Sequence, residues 1–127
     1  SHSNNWNLLG ISDLDEIGVD IEEIQKPPAE IIDIFFHKIE KQYIGTDKKL
    51  DRNRFFRIWT QKESLLKYLG TGLLQDPQNI NTLDPKYSHN FVTWQFNQYS
   101  CSIFTTVPNS YEYMILSEKN IANYFLS

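Results

Sequence analysis

The chain has 127 residues, 40% of them apolar and 22% charged, which suits one packed domain over residues 1–127 and argues against wholesale disorder. Twelve basic residues stand against 16 acidic ones, a net charge of −4, which argues against nucleic-acid binding driven by bulk charge. The single cysteine, Cys101, rules out an internal disulfide framework and a Cys-rich zinc site, and a reducing, cytoplasmic setting is the simplest expectation.

Trp6 to Ser12 reads as a short strand and Asp13 to Glu16 as a polar turn. Ile17 to Ile24 alternates apolar and polar residues, the period of a half-buried strand, and the two segments together suggest a hairpin. Pro27 and Pro28 stop it. A helix then starts near Pro28 or Ala29, with Ile31, Ile32, Phe35, Phe36, Ile39 and Tyr43 at helical spacing, and ends at Gly45-Thr46-Asp47. A charged connector leads to a stronger helix from about Arg52 to Leu69, stopped by Gly70. Leu74 to Ser88 reads as a polar loop. Phe91–Phe96, Ser100–Thr106 and Tyr111–Leu116 read as strands, with a short terminal helix over Asn120–Ser127. No apolar run approaches the roughly 18 residues of a membrane span, so no membrane partner is expected. The order predicts an α+β fold, an antiparallel sheet with helices packed on one face.

Two segments strain a purely structural reading. In the strand from Ile17, Gly18, Asp20 and Glu22 share one face, while Ile17, Val19 and Ile21 share the other. Adjacent carboxylates repel unless water screens them or a cation joins them. On this segment alone an ordinary solvated strand face is the simpler account. On the second helix Phe55, Ile58, Trp59, Leu65, Leu66 and Leu69 form one apolar arc, with Lys62 near its centre and Glu63 and Lys67 on its edge. An i,i+4 pair explains Glu63 and Lys67. Lys62 has no such local explanation and is expected to serve function more than stability. Each of His2, His37 and His89, taken alone, reads as a surface histidine.

Together these pieces resemble the Sfp-type members of the 4′-phosphopantetheinyl transferase superfamily. The motifs are Ser1-His2-Ser3, Gly18-Val19-Asp20-Ile21-Glu22, the helix Trp59-Thr60-Gln61-Lys62-Glu63-Ser64-Leu65-Leu66-Lys67, and Gly70-Thr71-Gly72-Leu73. Phe35-Phe36 with Glu40 looks like the family's Phe-Phe-x-x-x-Glu stretch, and order and spacing agree over residues 1–73. The resemblance implies magnesium held by Asp20, Glu22 and Glu63 with the pyrophosphate of coenzyme A. It implies phosphate contacts from Lys62 and Lys67, and His2 at the nucleotide end. The implied reaction moves the phosphopantetheine arm to a serine of an acyl or peptidyl carrier protein and releases 3′,5′-ADP. Glu63 is the first candidate for the base that takes the serine proton, and Glu40 the second.

Two departures stand out. Asn4 follows Ser-His-Ser where the family usually has glycine. Sfp-type enzymes are also two similar halves in one chain, and the match starts at an element of the second half. One half of that pseudo-dimer supplies one wall of a cleft, so the expected partner is a missing N-terminal half or a further copy in a homo-oligomer. The aromatic residues Trp6, Phe35, Phe36 and Tyr43 are expected to exceed what a two-helix core buries and to mark the facing surface. The alternatives are a self-sufficient oligomer like the holo-acyl-carrier-protein synthases and a non-catalytic interaction domain of the same fold.

Overall fold

The computed structural model describes residues 1–11, 16–70 and 76–106, with the side chain of Asp47 left aside. The polar turn at 13–15, the Gly-x-Gly-Leu turn beyond Gly70, the strand at 111–116 and the terminal helix therefore lie outside the described residues.

Strands β3 (Ile17–Glu23), β4 (Phe91–Phe96) and β5 (Tyr99–Thr105) form an antiparallel sheet in the order β3-β5-β4. Gly18, Asp20 and Glu22 stand opposite Phe104, Ser102 and Ser100 of β5, and these in turn face Phe91, Thr93 and Gln95 of β4. Because side chains alternate along a strand, these nine residues share one face. Helix α3 (Arg52–Leu69) lies across that face, chiefly on β3 and β5. The carboxylates of β3 therefore point under a helix rather than into bulk solvent, against the simpler account of that strand.

Helix α3 keeps the bounds its sequence predicts, since both ends carry strong local signals. Asp51 caps the first turn by accepting from the Arg54 amide at 3.0 Å, and Gly70 ends the helix at φ +65°, a left-handed conformation that glycine adopts without steric cost. The face it lays on the sheet is small and polar. Thr60 and Ser100 hydroxyls meet at 3.0 Å, Gln61 Nε2 donates to Thr93 Oγ1 at 2.9 Å, and Ser64 Oγ approaches Ser102 Oγ at 3.5 Å. Short side chains let the two backbones come close. A Cβ built on Gly18 would stand 1.8 Å from the Ser64 carbonyl oxygen and 2.7 Å from the Tyr68 amide nitrogen, so glycine is required there.

The single helix expected over 29–43 is two helices, α1 (Ile32–Phe35) after a 3₁₀ turn at Ala29–Ile31, and α2 (Lys38–Ile44). Phe36 is extended at ψ 136° and His37 caps α2. His37 Nδ1 accepts from the Ile39 amide and Glu40 reaches back to the His37 amide, at 3.1 and 2.8 Å. This reciprocal box stabilises a new helix start more than the apolar periodicity stabilises one continuous helix. Phe36, Ile44, Phe55, Phe56 and Ile58 form one core on the side of α3 that meets α1 and α2, and Leu65, Ile80 and Phe104 form a second. Phe35 and Tyr43 pack on the first core, and Trp6 packs edge-on against Phe96 at 4.8 Å. Of the four aromatics expected to mark a facing surface, Phe36 is buried, while Trp6, Phe35 and Tyr43 stay partly exposed. The large apolar side chains most exposed among the described residues are Leu9, Ile11 and Ile34.

The expected hairpin between Trp6–Ser12 and β3 does not form. Strands β1 (His2–Ser3) and β2 (Trp6–Asn7) pair with each other instead, turning at Asn4 with φ +53°. Asparagine is among the few non-glycine residues that enter this region readily, which accounts for Asn4 where glycine is usual. The hairpin docks through hydroxyls on the side of β3 away from β5. Ser1 Oγ accepts from the Ile21 amide and Ser3 Oγ from the Glu23 amide, both at 3.2 Å. Two serines two residues apart match the two-residue spacing of outward-pointing edge amides. The loop expected before Ser88 contains a 3₁₀ turn at Pro77–Asn79 and helix α4 (Pro85–Ser88), each capped by the aspartate before its proline.

Candidate active site

The site forms where the edge strand β3 passes under α3. Asp20 is 2% exposed. Its Oδ1 accepts from Ser1 Oγ at 3.0 Å and from Lys67 Nζ at 2.8 Å, while Oδ2 is buried with no hydrogen-bond partner. Lys67 also donates to the Val19 carbonyl at 3.3 Å and keeps its side chain 44% exposed, so its ammonium can address both Asp20 and an incoming group. Trp59, one turn before Glu63 on α3, has its Nε1 buried without a well-formed hydrogen bond among the described residues, near enough to Glu22 to favour that carboxylate's ionised form. Unpartnered buried polar atoms are costly and tend to cluster where a ligand completes them.

Electrostatics join the three carboxylates. Burial pushes Glu22 from its ordinary 4.5 up to about 7, with Asp20 and Glu63 adding repulsion. Burial likewise raises Glu63, and Asp20 adds to it. Asp20 is raised by burial, against the pull of Lys67. Asp20, Glu22 and Glu63 therefore occupy one neighbourhood. Among the described residues no three His, Cys, Asp or Glu side chains are already gathered tightly enough to cage a metal ion. This donor set still suits magnesium, which prefers hard oxygen ligands and commonly takes one or two carboxylates, substrate phosphates and water. The unpartnered Asp20 Oδ2 is the free ligand atom such a site requires.

A pH dependence follows. The folded chain binds the Glu22 proton more tightly than the unfolded chain does. That contribution to stability is complete below pH 4.5 and is lost as pH rises through about 7. Urea melts should show about 1–2 kcal/mol less stability at pH 8 than at pH 5 from this group, after allowance for solvent screening. Glu22→Gln should flatten that slope. An unchanged slope in this variant would remove Glu22 from the cluster.

The remaining expected residues fall elsewhere. His2 is exposed on the docked hairpin, between the serines that hold it to β3. Lys62 is not at the carboxylate site. Its ammonium is fully buried on the α1–α2 side of α3, where it contacts Glu40 and donates to the carbonyls of Phe35 and Pro77 at 2.8 and 2.7 Å. Glu40, the second candidate base, is equally buried and also accepts from Thr82. Sequence reasoning missed Ser1 and Gly18 as parts of the site and Glu40 as the partner of Lys62. The Ser-x-Ser spacing and the His37-x-x-Glu40 box were the available signals. Cys101 is a buried thiol on the opposite sheet face, with its pKa pushed up to about 11 by burial, which leaves it unreactive.

Comparison with known proteins gives this arrangement a family. The model of the 4′-phosphopantetheinyl transferase superfamily matches residues 16–117. The chain is 31% identical over 128 residues to the 4′-phosphopantetheinyl transferase gsp of Aneurinibacillus migulanus, covering 86% of this chain and 52% of that protein. It is 36% identical over 74 residues to the transferase Sfp of Bacillus subtilis, covering 58% of this chain and 33% of the relative. The solved structure of Thermotoga maritima holo-[acyl-carrier-protein] synthase shares the fold, with a TM-score of 0.55 at 17% identity, over 69% of this chain and 60% of that one. The chain belongs to the 4′-phosphopantetheinyl transferase superfamily, and its similarity to the Sfp-type members is borne out. It spans about half the length of the first of these relatives and a third of the second. No helix among the described residues is long and apolar enough to cross a membrane.

Proposed function

We propose that this domain carries the magnesium-binding wall of a transferase that moves 4′-phosphopantetheine from coenzyme A to a serine of an acyl or peptidyl carrier protein. The observation that supports it most is Asp20 beside Lys67, its Oδ2 buried and without a partner among the described residues, with Glu22 close enough to feel the charge of both Asp20 and Glu63. Four groups of this kind match a diphosphate carried with a divalent cation better than any neutral ligand. Magnesium, when bound, would supply charge neutralisation at the diphosphate. Asp20, Glu22 and Glu63 would hold it, and Ser1 and Lys67 orient Asp20 for that task. The exposed part of Lys67 would meet phosphate oxygens. Glu63 would accept the carrier serine proton as the serine oxygen bonds to the β-phosphorus. The bond from that phosphorus to the bridging oxygen breaks, and 3′,5′-ADP leaves with the electron pair. His2, exposed beside the site, would face the nucleotide end.

These groups form one wall, and transfer needs a second to orient coenzyme A and exclude water. We place that wall on a second lobe or a further copy, and the activity in the cytoplasm. The test is a carrier-loading assay read by intact-protein mass, with magnesium and coenzyme A, on the chain alone and with the upstream half of a relative such as gsp added. Transfer should depend on magnesium and on the added half, and should be lost in Glu63→Gln. Loading that survives both chelation and Glu63→Gln would overturn this reading. Magnesium-dependent turnover by the isolated chain as an oligomer would assign the second wall to a further copy.

A further inference from the structure

The proton and lone-pair inventory around Lys62 is complete. An ammonium has three donors, and all three are engaged, by a Glu40 oxygen and by the carbonyls of Phe35 and Pro77. Glu40 is matched as fully. Its Oε1 accepts from Lys62 and from the His37 amide, and its Oε2 accepts from the Thr82 amide and hydroxyl at 2.8 and 2.7 Å. Both side chains are 0% exposed. No donor of Lys62 is left for a phosphate, and no lone pair of Glu40 is left for a substrate proton.

This network grips α3 from the side away from the sheet. At about 100° per residue, Lys62 and Ser64 lie about 200° apart around the helix, with Glu63 and Lys67 in the arc between them. Ser64 is seated on the sheet, where its carbonyl passes over Gly18. Lys62 is fastened to the end of α1, to Glu40 in α2 and to the turn at Pro77. A helix held at two nearly opposite points cannot roll, so the arc between is fixed toward β3 and Asp20. We propose that Lys62 is a positioning residue: its buried pair with Glu40 sets the rotation of α3 on the sheet and so places Glu63 and Lys67 at the carboxylate site. The importance of that placement for transfer rests on the function proposed above. The placement itself does not.

The test uses the chain as it is, with Lys62→Met, Glu40→Gln and the double variant Glu40→Gln/Lys62→Met. Removing one member strands a buried charge, whereas replacing both by neutral groups does not. Urea melts should show the folding constant of Lys62→Met falling by roughly 10²- to 10³-fold, with most of the loss recovered in the double variant. The second readout is the set of NMR contacts between the Gly18 α-protons and the Tyr68 amide, on the far side of the helix from the substitution. They should weaken in folded Lys62→Met and return in the double variant. A phosphate-binding lysine predicts neither the instability nor its rescue by Glu40→Gln. Wild-type stability in Lys62→Met, or a double variant less stable than Lys62→Met, overturns the pairing. Unchanged Gly18–Tyr68 contacts in folded Lys62→Met overturn the positioning role. Neither measurement depends on turnover, so a failed loading assay leaves this result separate.

Discussion

Gly18→Ala should be among the most destabilising single substitutions in the chain, with a loss of about 3 kcal/mol or more in chemical unfolding. The added methyl meets the Ser64 carbonyl oxygen at 1.8 Å and the Tyr68 nitrogen at 2.7 Å, and both obstacles are main chain of an 18-residue helix. A flexible side chain would swing aside. A hydrogen-bonded helix turn has to lift as a body, opening the contacts of Thr60, Gln61 and Ser64 with the sheet. The same lift separates Lys67 from Asp20, now 2.8 Å apart, so any residual folded protein should also have a weakened site. A variant as stable as the parent would mean that α3 sits farther from β3 than described here.

Asp20→Asn should divide stability from function. The change is nearly isosteric and removes one of three mutually repelling carboxylates, so the melting temperature should hold or rise. The charge contact to Lys67 is lost, but that lysine is 44% exposed and water compensates it. Under the proposed function, transfer in the completed enzyme should fall by about 10³-fold or more, the several kcal/mol that metal-assisted charge neutralisation contributes. Magnesium should also stop protecting the folded state, because the amide is a poorer ligand and Oδ2 is the unpartnered atom in question. The paired measurements are thermal melts with and without magnesium and the loading assay on one preparation. Retained loading by a folded Asp20→Asn variant would sink the metal-site reading.

The sequence by itself determined the pieces whose cause is local. Helix α3 was legible end to end, because Asp51 and Gly70 cap a periodic segment. Strand β3 was legible from two-residue alternation, and β4 and β5 from strand-forming runs on either side of a turn, with β5 starting one residue earlier at Tyr99. Asp20 and Glu22 were legible as paired carboxylates and Lys62 as an odd charge, while Glu63 and Lys67 passed as an i,i+4 pair, and only the resemblance to a family proposed Asp20, Glu22, Glu63 and Lys67 as one site. Tertiary structure alone decided the rest. The break between α1 and α2 turns on His37 and Glu40 joining helix ends, against a periodicity that runs straight through them. The pairing of β1 with β2, rather than β2 with β3, depends on hydroxyl contacts to an edge that exists only once β5 has paired the other side of β3. The role of Lys62 was least legible. A helical wheel shows which way a side chain points, and the meaning of that direction depends on what stands there. Lys62 points at Glu40, 22 residues earlier in the chain, and at the carbonyls of Phe35 and Pro77. A charge looks anomalous along a sequence until folding brings its counter-charge across, and only then does a residue that seemed set aside for a ligand become part of the frame that holds the site.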